Sequence, residues 1–135
     1  MINLQEYDTL QPLPNHLVLV VDDEDDMNYL VSSILKRLNI KVFFAGTINE
    51  GLEIIMSYPA VDLVFLDNHL PDGLGSQYIQ QFKNNSNRYV VVVSAYDTSH
   101  DRRTAENNGA DGFIGKPFTS DQITDIVHKL LGPAD

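Results

Sequence analysis

The chain has 135 residues, 43% of them hydrophobic and 21% charged, which fits one globular domain with a proper core. Its formal net charge of -10 argues against nucleic acid or anionic membrane as the main partner. It has no cysteine, which excludes disulfide and thiol chemistry and suits a reducing compartment.

The first segment, MINLQEYDTLQPLPN (1–15), has two prolines and no periodicity and reads as an N-terminal extension. It lacks the charged and apolar regions of a signal peptide, and no apolar run is long enough to span a bilayer, so the expected location is the cytoplasm. A first strand is predicted at HLVLVV (16–21). Met27, Leu30, Val31, Ile34, Leu35 and Leu38 then form one apolar stripe at helical spacing. KVFFA (41–45) is the second strand. TINE (47–50) reads as a capping box, with Ile48, Leu52, Ile55 and Met56 as the stripe of the second helix. VDLVFL (61–66) is the third strand, and after DGLGS come Tyr78, Ile79 and Phe82 of a shorter helix. YVVVVS (89–94) is the fourth strand. DTSHDRRTAENN (97–108) has Ala105 as its only apolar residue; its place in the series predicts a helix that its own pattern hardly shows. DGFIG (111–115) is a weaker fifth strand. Ile123, Ile126, Val127, Leu130 and Leu131 mark the last helix, which GP (132–133) stops. The domain thus spans 16–132, with a short tail at 133–135.

Five branched, apolar strands alternating with five helices predict an α/β fold of three layers, a doubly wound parallel sheet with helices on both faces. Ligands in such sheets bind beyond the carboxyl ends of the strands. Asp22 and Asp23 follow the first strand, Asp67 the third, and Lys116 and Pro117 the fifth, while Ser94 closes the fourth. These carboxylates, hydroxyl and ammonium should face one crevice. Carboxylates this close raise one another's pKa unless a cation joins them. An open, oxygen-only site suits Mg²⁺, which binds through one or two carboxylates and a phosphate. A carboxylate can also attack phosphorus to give an aspartyl phosphate, and Asp67, alone at its strand end, is the best nucleophile. Lys116 and Mg²⁺ would supply positive charge, and Ser94 a hydrogen bond to the phosphoryl oxygens. Glu24, Asp25 and Asp26 read more simply, as solvated first-turn residues favoured by the helix dipole. The four histidines are scattered and form no metal set.

VVDDEDDM, VFLDNHLPDGLG, VVVSA and GADGFIGKPF, in this order, resemble the receiver domain of bacterial two-component response regulators, across residues 16 to about 131. The resemblance implies a flavodoxin-like sheet of strand order 2-1-3-4-5. It also implies that Asp67 is the phosphoacceptor and that Asp22 and Asp23 are the acidic pair that positions Mg²⁺, with Asp23 the more direct ligand. The backbone carbonyl of His69 matches the third protein ligand. Ser94 matches the hydroxyl that turns toward the phosphoryl group, Lys116 the family lysine, and the Lys116–Pro117 bond is implied to be cis. Phe113 matches the aromatic switch, where many members carry tyrosine. The side chains of His69 and Tyr96 are expected to tune water access to the phosphoryl group. The implied partners are a sensor histidine kinase or phosphotransfer protein and a downstream output protein or fused output domain. The signal would leave through the fourth helix, fifth strand and fifth helix. No direct nucleic-acid or membrane binding is implied, and a weak homodimer is allowed. The chain would be no enzyme beyond its own phosphorylation and dephosphorylation.

Three other readings compete. A haloacid-dehalogenase-like phosphatase also uses Mg²⁺ and an aspartyl phosphate, but DEDDM (23–27) puts Met27 where that motif needs Thr or Val. A flavodoxin-like FMN binder needs a phosphate-binding loop after the first strand, and that loop is acidic here. A degenerate receiver serving only as a protein-binding module would not need the charged residues that this sequence keeps.

Overall fold

Alternation along the strands builds the protein from its centre outwards. The computed structural model describes residues 16–132; the extension at 1–15 and the tail at 133–135 lie outside the described residues. The sheet strands are β1 (Leu17–Val21), β2 (Lys41–Ala45), β3 (Leu63–Asp67), β4 (Tyr89–Ser94) and β5 (Gly112–Gly115). All pair in parallel, in the order β2-β1-β3-β4-β5. Helices α1 (Asp25–Arg37), α2 (Ile48–Ser57), α3 (Ile79–Lys83) and α4 (Ser99–Asn107) make the crossovers, and α5 (Ser120–Leu131) follows the last strand. This is the predicted flavodoxin-like fold.

Successive side chains of a strand point to opposite faces, so the buried strands feed two cores. Val18, Val20, Leu63, Phe65, Val91 and Val93 pack under α1 and α5. Their neighbours Leu19, Val21, Val64, Leu66, Val90 and Val92 pack under α2, α3 and α4. Ala105 is fully buried, so the polar α4 packs on the sheet through its one apolar side chain, with Arg102 lying over Phe113 of β5. No helix among the described residues is long and apolar enough to cross a membrane.

The helix ends match expectation in part. The TINE box is only half formed. The Thr47 hydroxyl accepts the Glu50 N–H at 3.1 Å, but the carboxylate of Glu50 reaches the Gly46 N–H instead of closing the box. Asp72 completes the cap from across the loop, accepting the N–H groups of Ile48 at 2.9 Å and Asn49 at 3.0 Å. A reciprocal capping box forms instead at Thr119–Gln122, at the start of α5. Gly132 ends α5 in an extended conformation rather than a left-handed one. The proline that follows it in sequence accounts for this, because proline disfavours a helical residue before it.

Arg88, buried to 6% exposure, staples the far end of the sheet. It donates to the carbonyls of Val61, Phe82 and Pro59 at 2.8, 2.6 and 3.1 Å. Its fork-shaped guanidinium suits three diverging acceptors.

Candidate functional site

The carboxyl ends of β1, β3 and β5 bring Asp22, Asp67 and Lys116 together. Parity explains the convergence: Asp22 continues the face of Val18 and Val20, Asp67 that of Leu63 and Phe65, and Lys116 that of Ile114. All three therefore point to the α1/α5 side. Asp22 and Asp67 are 3% and 4% exposed. The Lys116 ammonium lies 2.9 Å from Asp22 Oδ2 and 3.6 Å from Asp67 Oδ1.

Glu24, exposed and at the helix start as read, also joins them through an ion pair that this reading did not include. Its Oε1 lies 3.1 Å from Lys116 Nζ. It is the N-cap residue of α1, yet its side chain makes no cap hydrogen bond. Instead its backbone N–H donates to Asp22 Oδ1 at 2.8 Å, which folds the loop so that the Glu24 side chain turns back over Lys116. Oxygens of Asp22, Glu24 and Asp67 all lie within 4.8 Å of one another. Asp23 is exposed and stands outside that set. Asn28 ties the helix to the strand end through Nδ2, which donates to the Asp22 carbonyl at 3.0 Å.

Burial, and then the nearby Asp22 charge, push the Asp67 carboxyl up to about 6, although Lys116 and the His69 N–H pull it down. Burial lowers the Lys116 pKa, but its hydrogen bond to Asp22 and the surrounding carboxylates outweigh that and hold it above its usual value. The pocket thus carries more negative charge than one lysine balances.

The loop after β3 shapes the rest. Gly75 packs so tightly over the strand end that a Cβ there would meet the Asp67 carbonyl oxygen at 2.2 Å. Its N–H donates to the Asn68 carbonyl at 3.0 Å, and the buried Asn68 side chain accepts the Ser76 N–H at 2.9 Å. His69 lies in a two-residue antiparallel pairing with Leu74. Its exposed ring meets Tyr96 edge-on, with centroids 4.7 Å apart.

Ser94 and Phe113 have the opposite parity and face α4. Ser94 is fully buried, and its Oγ accepts the Tyr96 N–H at 3.1 Å. Its carbonyl accepts the Lys116 N–H at 2.8 Å, which couples β4 to the lysine. Phe113 lies half-buried under α4, and the Arg102 guanidinium sits 4.8 Å above its ring. Asp97, three residues past Ser94, holds Arg102 through both carboxylate oxygens. The Lys116–Pro117 peptide bond is cis, as the resemblance implied.

A family model for the response regulator receiver domain matches residues 18–128. The chain belongs to the response regulator receiver domain family. It is 36% identical over 102 residues to the KDP operon transcriptional regulatory protein KdpE of Escherichia coli K12, covering 75% of this chain and 44% of that protein. It is also 36% identical over 101 residues to the regulatory protein VanR of Enterococcus faecium, covering 75% of this chain and 43% of that one. The receiver domain thus spans less than half the length of these curated relatives. Among solved structures, the beryllofluoride-activated NtrC4 receiver domain dimer superposes with a TM-score of 0.80 at 28% identity, covering 85% of this chain and 95% of that one. A two-component response regulator from Clostridium difficile gives a TM-score of 0.82 at 23% identity, covering 87% and 96%; that likeness supports the fold. The receiver domain therefore carries an acidic pocket at the carboxyl edge of its sheet.

Proposed function

We propose that this receiver domain accepts a phosphoryl group on Asp67 and thereby changes what its α4–β5–α5 face binds. The observation that carries the reading is Asp67 itself: a buried carboxylate at the end of the central strand, with an ammonium 3.6 Å away and an open acidic mouth. A carboxylate oxygen of Asp67 attacks phosphorus and forms the acyl phosphate. The donor's P–N or P–O bond breaks, and the leaving group takes the bonding pair. Reversal needs one water, which attacks phosphorus, releases inorganic phosphate and restores the carboxylate.

Lys116 steadies the charge on the phosphoryl oxygens. The Ser94 hydroxyl, now only accepting from Tyr96, donates to one of them. Rotation of Ser94 toward Asp67 would move the loop that carries Asp97, and with it Arg102 above Phe113. That biases a two-state packing of α4, an element with one buried apolar contact and so cheap to repack. The His69–Tyr96 ring pair shields the mouth and tunes how fast water enters. The paired, buried oxygens of Asp22 and Asp67, whose charges one lysine must balance, fit a hard divalent cation. Mg²⁺ bound through Asp22, Asp23, Asp67 and the His69 carbonyl would neutralise the charge of the incoming phosphoryl group.

The donor in this reading is a sensor histidine kinase or phosphotransfer protein, and the reader is an output protein or fused output domain. The chain works in the cytoplasm, acts as an enzyme only on its own aspartate and leaves DNA to other domains. Intact mass after incubation with Mg²⁺ and a small acyl phosphate tests it. One phosphoryl adduct is expected on the parent, with none on Asp67→Asn and none when Mg²⁺ is chelated. A parent without adduct under rapid quenching would favour the degenerate binding module.

A further inference from the structure

The unforeseen member of the pocket is Glu24. An ammonium has three N–H groups, and Lys116 faces three carboxylates, at 2.9 Å (Asp22), 3.1 Å (Glu24) and 3.6 Å (Asp67). Only Asp22 and Glu24 stand at hydrogen-bond distance; Asp67, at 3.6 Å, is an ion-pair neighbour. A phosphoryl group that draws more than one N–H from Lys116 therefore displaces Asp22 or Glu24. Asp22 does not leave cheaply. Its side chain is 4% exposed, and a buried carboxylate that loses its cation has no water to replace it. The Glu24 side chain is 61% exposed, so water takes over its hydration when it leaves. It also makes no cap bond to α1, and among the described residues its side chain bonds to Lys116.

We propose that Glu24 is a positioning residue, a displaceable placeholder that occupies Lys116 until a phosphoryl oxygen takes its place. This rests on the reading of Asp67 as phosphoacceptor. Glu24 draws Lys116 toward the mouth and keeps it at ion-pair distance from Asp67, so the nucleophilic oxygens are not tied up by a close hydrogen bond. Its negative charge also opposes an approaching phosphoryl group. Transfer from a small acyl phosphate therefore proceeds against Glu24.

Glu24→Gln in the full chain tests this with three readouts. Adduct formation from a small acyl phosphate at saturating Mg²⁺ should become about two- to fivefold faster, the factor an exposed ion pair accounts for. Mg²⁺ affinity without donor, by titration calorimetry, should stay within about twofold. Acylation of the Lys116 amine by an N-hydroxysuccinimide ester, read by peptide mass in metal-free buffer, should rise severalfold. Slower transfer together with weaker Mg²⁺ binding would make Glu24 a metal ligand and overturn the proposal. Unchanged transfer and unchanged Lys116 acylation would overturn it as well. A parent that takes no phosphoryl group would refute the phosphoacceptor reading instead, and the acylation experiment would still decide whether Glu24 holds Lys116.

Discussion

Asp67 is the residue whose environment most shapes the chemistry. Its carboxyl, raised from 3.8 to about 6 by burial and then by Asp22, binds a proton more tightly folded than unfolded. The stability linked to that proton is fully present below about pH 3.8 and is lost as pH rises through about 6. At neutral pH the ionised Asp67 therefore costs stability, up to about 3 kcal/mol from the size of the shift. Asp67→Asn should raise the melting temperature by a few degrees at pH 7 with metal chelated, and by much less at pH 4. An equal gain at both pH values would contradict the charge account. Asp22, Asp67 and Lys116 were legible in the sequence because strand ends can be counted from apolar runs; Ser94 was placed at its strand end, but its side chain faces α4 and not the crevice it was expected to share. The place of Glu24 was not. It depends on a backbone hydrogen bond to Asp22 that turns the loop over Lys116, a contact between residues 92 apart that no local pattern encodes.

The helices show where local signals hold and where tertiary contacts overrule them. Stripe spacing located α1, α2 and α5, and chain order located α4. Thr47 was found as a cap and accepts the Glu50 N–H as expected, but the Glu50 carboxylate turns to Gly46, and Asp72 accepts the free N–H groups of Ile48 and Asn49. Burial opposes ionisation of Asp72 slightly, but the N–H groups of Ile48 and Asn49 prevail and hold its carboxyl below the usual range. Asp72→Ala should therefore cost about 1 kcal/mol, the usual worth of a cap, measured by urea denaturation at neutral pH. The difference should shrink as pH falls and the carboxylate of the parent protonates. A neutral substitution at pH 7 would show that Thr47 alone starts α2. The role of Arg88 was invisible in sequence for the same reason as Asp72's: two of its three carbonyl partners, Val61 and Pro59, come from a loop far from it in the chain, and the third, Phe82, from the end of α3.

Across the molecule, parity divides the machinery between two faces of one sheet. Asp22, Asp67 and Lys116 lie toward α1 and α5, where a phosphoryl donor would approach, and Ser94 and Phe113 lie toward α4. Ser94 sits at the junction: it accepts from Tyr96 on one side, and its carbonyl takes the Lys116 N–H on the other. The central claim is that charge placed on Asp67 is felt at the α4–β5–α5 face. Backbone amide spectra of the parent, with and without Mg²⁺ and beryllofluoride as a phosphoryl mimic, test it most directly. The account predicts large shifts at 67–69, at 94–97 and across α4 and Phe113, all absent in Asp67→Asn. Shifts confined to 67–69, with α4 and Phe113 unmoved, would contradict it.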